Sequence, residues 1–317
     1  MFLNWIKISS LFLLIFSIIF NFSATNWFFF WISLEINILS FIFFCFEKNN
    51  LSVNSLFKYF IIQSIASMIF FCSIILSKNF LFMELNNILI STSMLMKLGF
   101  VPFHFWLSDV GESLNWLNFF LFSSIQKIIP FHIISLTKFS FHLIILLTSL
   151  ISATLMFNQS SLRKILIFSS LNHMSWMLFI IIHNNSNWLL YLTCYSFILS
   201  LFILLNIQSN MSSTLQILFF NQKLNMILLI ILFFNMSGLP PFMGFFTKWL
   251  TLMNSSFNQI FIIFFLTISS LITSFIYTSS LFPLISFSFL QKNSPLSKTY
   301  FWFILTLLIL TPFYCFI

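Results

Sequence analysis

The chain has 317 residues with 60% hydrophobic residues and a mean hydropathy of +1.06, and only 6% are Asp, Glu, Lys or Arg. Because soluble domains carry about 25% charged residues, a soluble protein is excluded, and an all-α integral membrane protein in contact with membrane lipids is predicted. The net charge of +8 comes from dispersed basic residues without a dense patch, which excludes nucleic-acid binding.

Polar residues divide the chain into about eleven apolar segments, each near the ~20 residues that span a bilayer as a helix. The connections between them are short, so one polytopic membrane domain is predicted for residues 1–317. The predicted segments are 2–20, 27–46, 56–76, 88–107, 115–134, 139–156, 165–182, 188–207, 224–249, 258–282 and 299–316.

The basic residues between the segments predict the orientation of the chain, because Lys and Arg are enriched on the inner side of a membrane. With the N-terminus inside, seven basic residues fall inside and two outside, namely Lys7, Lys48, Arg163, Lys164, Lys223, Lys292 and Lys298 against Lys78 and Lys138. An odd number of helices, with the N-terminus in and the C-terminus out, follows from this bias.

The fourth and ninth segments are interrupted by glycine and proline. The fourth contains Gly99 and Pro102, and the ninth contains Gly238, Pro240 and Pro241. Proline removes a backbone donor and clashes with the preceding turn, so both helices are predicted to be broken. Carbonyl groups freed in this way are tolerated in a membrane only where they face protein or a hydrated cavity.

The fourth segment is the fourth of segments one to five, and the ninth segment is the fourth of segments six to ten. Because five is an odd number, the sets enter the membrane from opposite sides. We therefore predict a first five-helix repeat at residues 1–134, an inverted second repeat at 139–283 and an extra C-terminal helix at 299–316. Paired broken helices in inverted repeats are typical of transport sites.

Four charged residues lie inside, or at the inner edge of, otherwise apolar stretches: Glu35, Lys97, Lys127 and Lys248. An ionised side chain at the bilayer centre costs about 2.5–3.5 kcal/mol on insertion scales. Such a cost favours a functional interpretation, and proton or ion handling is the first function to consider.

Each of these residues also has a structural interpretation. Glu35 and Lys97 are predicted to be partners in proton transfer, but they would also suit a fixed structural ion pair. Lys127 is the next predicted proton carrier, and Lys248 is either an exit-side carrier or a lysine that extends to the outer surface. His173 lies centrally in the seventh segment and is either a relay member or a hydrogen-bonded core histidine.

The other polar residues near the segments have weaker functional interpretations. Lys58 is expected to extend to the inner surface, Asp109 to be a solvated loop charge, and His104 to be a minor candidate beside the first break. Three histidines near segment ends are expected to be interfacial: His132, His142 and His183. We predict no metal site and no cofactor bound by this chain, because no phosphate-binding glycine loop, haem or Fe–S ligand set is recognisable.

Several motifs occur together in a characteristic order: Leu34-Glu35-Ile36-Asn37, Met96-Lys97-Leu98-Gly99, Gln126-Lys127, Asn172-His173-Met174, Gly238-Leu239-Pro240-Pro241 and Lys248-Trp249. In this order and spacing they resemble the chain 2 family of mitochondrial NADH:ubiquinone oxidoreductase, respiratory complex I, in its short animal form. The resemblance runs from about Trp27 to Trp249. The chain departs from the family pattern at Ser237, which replaces a glycine, and at Thr247, which replaces a proline.

The resemblance implies an antiporter-like subunit of the proton-pumping membrane arm, located in the mitochondrial inner membrane with its N-terminus in the matrix. Glu35 matches the family's modulating glutamate, Lys97 and Lys248 its broken-helix lysines, and Lys127 its connecting lysine. The implied partners are other membrane subunits of the complex, including neighbouring antiporter-like chains. NADH, FMN, Fe–S clusters and ubiquinone are implied in partner subunits.

Two further functions fit the same charges. In the first, the chain is a membrane scaffold of the complex, and its charges only determine helix packing. In the second, it is an independent cation/proton antiporter. The lack of a second acidic residue near the helix breaks argues against this function.

Overall fold

A computed structural model describes the chain at residues 2–47, 50–77, 83–137, 141–183, 187–209, 212–214, 216, 223–240, 242–253, 255 and 259–288. The regular elements in these ranges are all α-helices. They are α1 (Phe2–Ser23), α2 (Trp27–Cys45), α3 (Asn50–Leu76), α4 (Met83–Leu98), α5 (Phe105–Ser113), α6 (Trp116–Ser123), α7 (Ile125–Leu136), α8 (His142–Met156), α9 (Leu162–Ile182), α10 (Trp188–Ser209), α11 (Lys223–Ser237), α12 (Met243–Met253) and α13 (Ile260–Ser288).

Seven stretches of the described residues are helical, long and apolar enough to cross a membrane. They are Trp5–Ser23, Trp27–Cys45, Leu51–Leu76, Trp116–Leu136, Leu162–Ile182, Trp188–Ile207 and Ile260–Phe282. The predicted fourth and ninth segments are absent from this set because the turns after Leu98 and Ser237 leave helices of at most 16 residues. The fifth is in the set because only Ser124 separates its two helices. The sixth forms a helix of only 15 residues, and the eleventh lies outside the described residues. The count of eleven therefore stays a prediction.

The helices group into two compact units, Met1–Phe141 (unit 1) and His142–Ile317 (unit 2). In unit 1, α1 packs against α2, and α3 packs against α2, α4 and α5. α7 contacts α1, α2, α4 and α6, so it lies inside this unit. The unit thereby surrounds α7, which carries Lys127, with four other helices.

Unit 2 is organised around α9. Every residue from Ile165 to Ile181 is buried, and α9 contacts α8, α10, α12 and α13. α11 packs against α10, α12 and α13. Because α9 is surrounded, its polar residues, including His173, meet protein groups rather than lipid.

Serine supplies much of the small-residue packing that glycine and alanine provide in other membrane helices. The chain has only 4 glycines, whereas Ser17, Ser33, Ser149 and Ser269 are fully buried between helices. Their hydroxyl groups donate to the carbonyl group three residues earlier in the same helix, as in Ser33 Oγ to Phe30 O at 2.7 Å. The hydroxyls are thereby satisfied without water, which makes serine acceptable in an apolar core.

Candidate functional site

The first helix break places Lys97 at a helix end. α4 ends at Leu98, Gly99 has a φ of 73°, and residues 99–104 form turns before α5 begins at Phe105. Pro102 lies within these turns. Lys97 is therefore in the last turn of α4, where the negative end of the helix dipole favours a cation. From α3, Gln63 Nε2 donates to the carbonyl oxygen of Lys97 at 3.1 Å.

Lys97 and Lys127 line the same cavity of unit 1. This cavity encloses about 420 Å³ of empty space, including its open side, and apolar side chains such as Leu34 and Phe122 form part of its wall. Both lysines are buried. The polar side chains that line it are Asn37, Tyr59, Gln63, Lys97, Gln126 and Lys127.

Four buried polar atoms of residues that line this cavity have no hydrogen-bond partner among the described residues: Asn37 Oδ1, Lys97 Nζ, Trp106 Nε1 and Gln126 Nε2. Gln126 Oε1, in contrast, accepts from the hydroxyl of Tyr59 at 3.2 Å. Buried polar atoms in proteins almost always have a partner, which in a polar cavity is commonly water. Three donors and one acceptor around one cavity form a suitable site for water between Lys97 and Lys127.

The helix that carries Lys127 is interrupted at a position that the sequence did not indicate. The fifth segment was predicted as one stretch, 115–134, but α6 ends at Ser123 and α7 begins at Ile125. Ser124 has φ −118° and ψ −70°, and its hydroxyl donates to Phe120 O at 2.5 Å. Pro130 lies inside α7 and lines the cavity. Lys127 therefore lies in the first turn of a helix, three residues after the interruption.

Glu35 lies in α2 and is half-buried. No Glu35 carboxylate oxygen lies within 4.0 Å of Lys97 Nζ in the structure, although the two charges interact electrostatically. Within the described residues, Glu35 also does not line the cavity of Lys97. The structure thus brings Lys97 and Lys127 to one cavity and leaves Glu35 outside it, at longer range.

The second break in the described residues has the same backbone signature as the first. α11 ends at Ser237, Gly238 has a φ of 75°, and α12 begins at Met243. Pro240 lies in the turn between these helices, and Pro241 lies outside the described residues. Lys248 is buried, and its Nζ donates to the carbonyl oxygen of Ser237 at 2.9 Å. Its ammonium group is thus bonded inside unit 2 rather than extended to a surface.

Glycine suits both positions at this break, Gly238 because of its positive φ and Gly244 because of its close contact with the backbone of α11. A Cβ atom on Gly238 would lie 2.7 Å from Lys248 Nζ, and one on Gly244 would lie 1.9 Å from Asn235 O. Asn235 Oδ1 also accepts from the backbone of Met243 at 3.2 Å. Glycine therefore allows α12 to approach α11 closely enough for Lys248 to reach the end of α11.

His173 is buried in α9 of unit 2, and its Nδ1 lies 2.8 Å from the hydroxyl oxygen of Tyr191 in α10. The neighbouring Asn172 bonds to α13 through Ser269 Oγ at 3.1 Å and Thr273 Oγ1 at 3.4 Å. Either of the two interpretations of His173 fits this position. The hydrogen bond to Tyr191 is a contact that a single sequence does not reveal.

Sequence reasoning missed two further polar contacts of unit 1. Lys58 Nζ lies 2.6 Å from Asp109 Oδ2, so a lysine and an aspartate interpreted separately form one exposed ion pair. His132, interpreted as interfacial, has its Nδ1 2.7 Å from Asn21 Oδ1. Asn21 Nδ2 in turn donates to Ser33 Oγ at 2.9 Å. The available signal was the presence of Asn21 and His132 near the ends of apolar segments, but their pairing depends on the packing of α1 against α7.

Residues 24–273 match the family model described as NADH:quinone oxidoreductase/Mrp antiporter, TM. Among curated proteins, NADH-ubiquinone oxidoreductase chain 2 of Anopheles gambiae is 37% identical over 310 residues, covering 92% of this chain and 89% of that protein. The chain 2 protein of Aedes aegypti is 36% identical, covering 86% of this chain and 83% of that protein.

Solved structures share the fold at low sequence identity. An archaeal membrane-bound sulfane sulfur reductase matches with a TM-score of 0.81 at 13% identity, covering 95% of this chain and 71% of that chain. Respiratory complex I from Thermus thermophilus matches with a TM-score of 0.72 at 15% identity, covering 86% and 74%. On the strength of the family model and the curated relatives, the chain belongs to the NADH-ubiquinone oxidoreductase chain 2 family of antiporter-like membrane proteins.

Proposed function

We propose that this chain is an antiporter-like core subunit of respiratory complex I that couples NADH:ubiquinone electron transfer to proton translocation. The redox cofactors belong to partner subunits, and this chain supplies the proton path. Lys97 and Lys127 carry the proton within unit 1, with Glu35 modulating Lys97. Lys248 and His173 carry it within unit 2.

The observation that carries this proposal is the shared cavity of Lys97 and Lys127. A scaffold would favour charges paired in fixed contacts, because an unpaired buried charge is costly. Lys97 Nζ instead has no hydrogen-bond partner among the described residues and faces a cavity with further unpaired polar atoms. A lysine held in this way can release a proton to water and take one up again.

The proposed cycle begins when redox work in partner subunits changes the interaction between Glu35 and Lys97. Lys97 then transfers its extra proton to a water molecule in the cavity, and that water transfers a proton to Lys127. Only N–H and O–H bonds break and form in these steps. The position of Lys97 at the end of α4 suits this role, because the helix dipole holds the cation until its surroundings change.

The proposed setting is the mitochondrial inner membrane, where this chain assembles with other membrane subunits of complex I. The exposed apolar side chains of α1 and α3, including Phe12, Ile19, Phe57 and Met68, would face lipid or these partners. The basic-residue bias supports an N-terminus in the matrix. We also retain eleven spanning helices in two inverted five-helix repeats as part of the proposal.

The deciding experiment is Lys97→Met in the assembled complex, reconstituted in sealed vesicles with NADH oxidation and proton uptake measured together. Methionine has an unbranched side chain one atom shorter than that of lysine and cannot bind a proton. We expect fewer protons translocated per NADH oxidised. An unchanged ratio would contradict the proposed relay.

The matched control is Lys58→Met, which removes a lysine of α3 that lies outside the cavity and is more than half exposed. Its ratio of protons to NADH should equal that of the unmodified complex. The scaffold alternative makes a different prediction for Lys97→Met, namely less assembled complex with a normal ratio in whatever assembles.

A further inference from the structure

Unit 2 contains a second cavity, located where α9 ends and α10 begins. It encloses about 340 Å³ of empty space, including its open side. Lys248 and His173 do not line it. Thr247, which precedes Lys248 in the chain, and Tyr191, which is bonded to His173, do line it. Its polar lining consists of His183, Asn187, Tyr191, Thr247 and Thr251.

The outer part of this cavity carries a buried nitrogen atom that needs a partner. His183 Nε2 has no hydrogen-bond partner among the described residues, and its ring packs edge-on against Phe179 at 4.9 Å. Asn187, which follows in the chain and also lines the cavity, is exposed. The cavity is narrow, and most of its wall is apolar, but five of its nine lining residues carry polar groups. A single water molecule therefore fits it and can bond to His183 Nε2.

The inner part of the cavity is closed by Tyr191, whose hydroxyl oxygen lies 2.8 Å from His173 Nδ1. Both side chains are buried. Tyr191 therefore connects the cavity with the central histidine of α9. A tyrosine hydroxyl can accept one proton while it donates another, so it can pass a proton on without a lasting charge.

We propose that this cavity is the proton route between His173 and the membrane surface at the α9–α10 junction, with Tyr191 as the relay and His183 at the opening. This inference rests on the proposed proton-translocating function. With the N-terminus in the matrix, the opening lies on the intermembrane-space side, and the cavity is an outlet.

This proton transfer needs no reactant other than water from the intermembrane-space side. Protonated His173 gives its Nδ1 proton to the Tyr191 oxygen, while the Tyr191 hydroxyl proton moves to a water molecule in the cavity. This water then gives a proton to His183 Nε2 or to the solvent outside. Only N–H and O–H bonds form and break.

The test is Tyr191→Phe in the assembled complex in sealed vesicles, with proton translocation measured during NADH oxidation. Phenylalanine keeps the ring but removes the oxygen atom that joins His173 to the cavity. Because loss of a positioned proton-transfer group typically costs 10²–10⁴-fold, we expect the rate of coupled proton translocation to fall at least tenfold. The amount of assembled complex should be unchanged.

The matched control is Tyr195→Phe, since the Tyr195 ring also packs against His173, at 5.0 Å, but does not line the cavity. A second variant, Thr251→Leu, fills part of the cavity with apolar atoms and leaves the Tyr191–His173 contact intact; it should show the same loss. If Tyr191→Phe fails to assemble, Thr251→Leu decides alone.

The outlet is wrong if the assembled Tyr191→Phe and Thr251→Leu variants translocate protons as fast as Tyr195→Phe. Lys97→Met, measured in parallel, separates this result from a failure of the proposed function. If only Lys97→Met impairs translocation, the relay stands and the outlet is elsewhere. If Lys97→Met is also normal, the proposed function itself fails.

Discussion

At the scale of single residues, Lys97 and Lys248 have similar surroundings although they occupy different positions relative to the helix breaks. Lys97 precedes the left-handed Gly99, whereas Lys248 follows the left-handed Gly238 and belongs to the second short helix. Each is nevertheless associated with the C-terminal end of the helix before the break. Because carbonyl oxygens and the negative dipole end favour a cation there, the helix end defines the site more than the lysine's place in the chain does.

This arrangement makes Gly238→Ala destabilising. A non-glycine residue at a φ of 75° costs about 1–2 kcal/mol, and the new Cβ would lie 2.7 Å from Lys248 Nζ. We therefore expect the second break to lose at least about 1–2 kcal/mol of stability and the bond from Lys248 to Ser237 to be displaced. The measurement is the temperature at which half of the assembled complex is lost.

The comparison for this prediction is Gly111→Ala. Gly111 lies within α5 and is not among the described glycines with a positive φ. Its replacement carries no left-handed strain, so the thermal stability of the complex should fall less than in Gly238→Ala. Equal losses would show that the left-handed conformation of Gly238 does not matter for stability.

At the scale of elements, the broken helices expose carbonyl groups that need donors. A helix leaves its last four carbonyl oxygens without partners, and lipid offers none. In the structure a long side chain from another helix supplies a donor at each break. Gln63 of α3 donates to Lys97 O at the end of α4, and Lys248 of α12 donates to Ser237 O at the end of α11. The breaks are thus stabilised by neighbouring helices.

Gln63→Leu should therefore destabilise the first break. Leucine is similar in size to glutamine but leaves the buried Lys97 carbonyl without its donor, which costs about 1–3 kcal/mol. The amount and thermal stability of the assembled complex would report this loss. Ser64→Ala is the control, because the exposed Ser64 hydroxyl donates only within its own helix, to Ile61 O at 2.8 Å. If both variants were equally stable, the helix end would not depend on Gln63.

The sequence predicted some elements well and missed others for physical reasons. Glycine and proline indicated interruptions near Gly99 and Gly238, because these residues act through the local backbone. The interruption at Ser124 had no such signal, since serine is accommodated in helices and the only proline of this segment, Pro130, lies inside α7. The depth of Lys248 was also uncertain, because counting along a segment ignores a side chain that returns to the preceding helix end.

At the scale of the whole molecule, the family and the membrane character could be predicted, whereas side-chain pairing could not. Buried charges are rare enough in an apolar chain that Lys97 and Lys127 stood out in the sequence. Their common cavity depends on α4 packing against α7, which no single-sequence pattern reveals. For the same reason, the distance between Glu35 and its predicted functional partner Lys97 could not be read from the sequence. In the structure no carboxylate oxygen of Glu35 lies within 4.0 Å of Lys97 Nζ, and the functional partnership stays a prediction.

The orientation of the chain is the remaining whole-molecule prediction, and α9 allows a direct test. This helix has 21 residues, which at 1.5 Å per residue correspond to about 31 Å, close to the hydrocarbon thickness of a bilayer. Ser160 precedes it and Asn187 follows it, and both side chains are exposed. Arg163 and Lys164 lie at the Ser160 end, so the positive-inside rule places this end in the matrix.

We therefore expect a membrane-impermeant thiol reagent to label Ser160→Cys only in inverted vesicles and Asn187→Cys only in right-side-out vesicles. Cys72→Ser and Cys315→Ser should be included in both variants, because the native Cys72 is exposed and Cys315 lies outside the described residues, whereas Cys45 and Cys194 are buried. The reverse pattern would invert the chain and move the proposed outlet to the matrix side. Labelling of both positions from one side would show that α9 does not span the membrane, because the two ends of a spanning helix face different compartments.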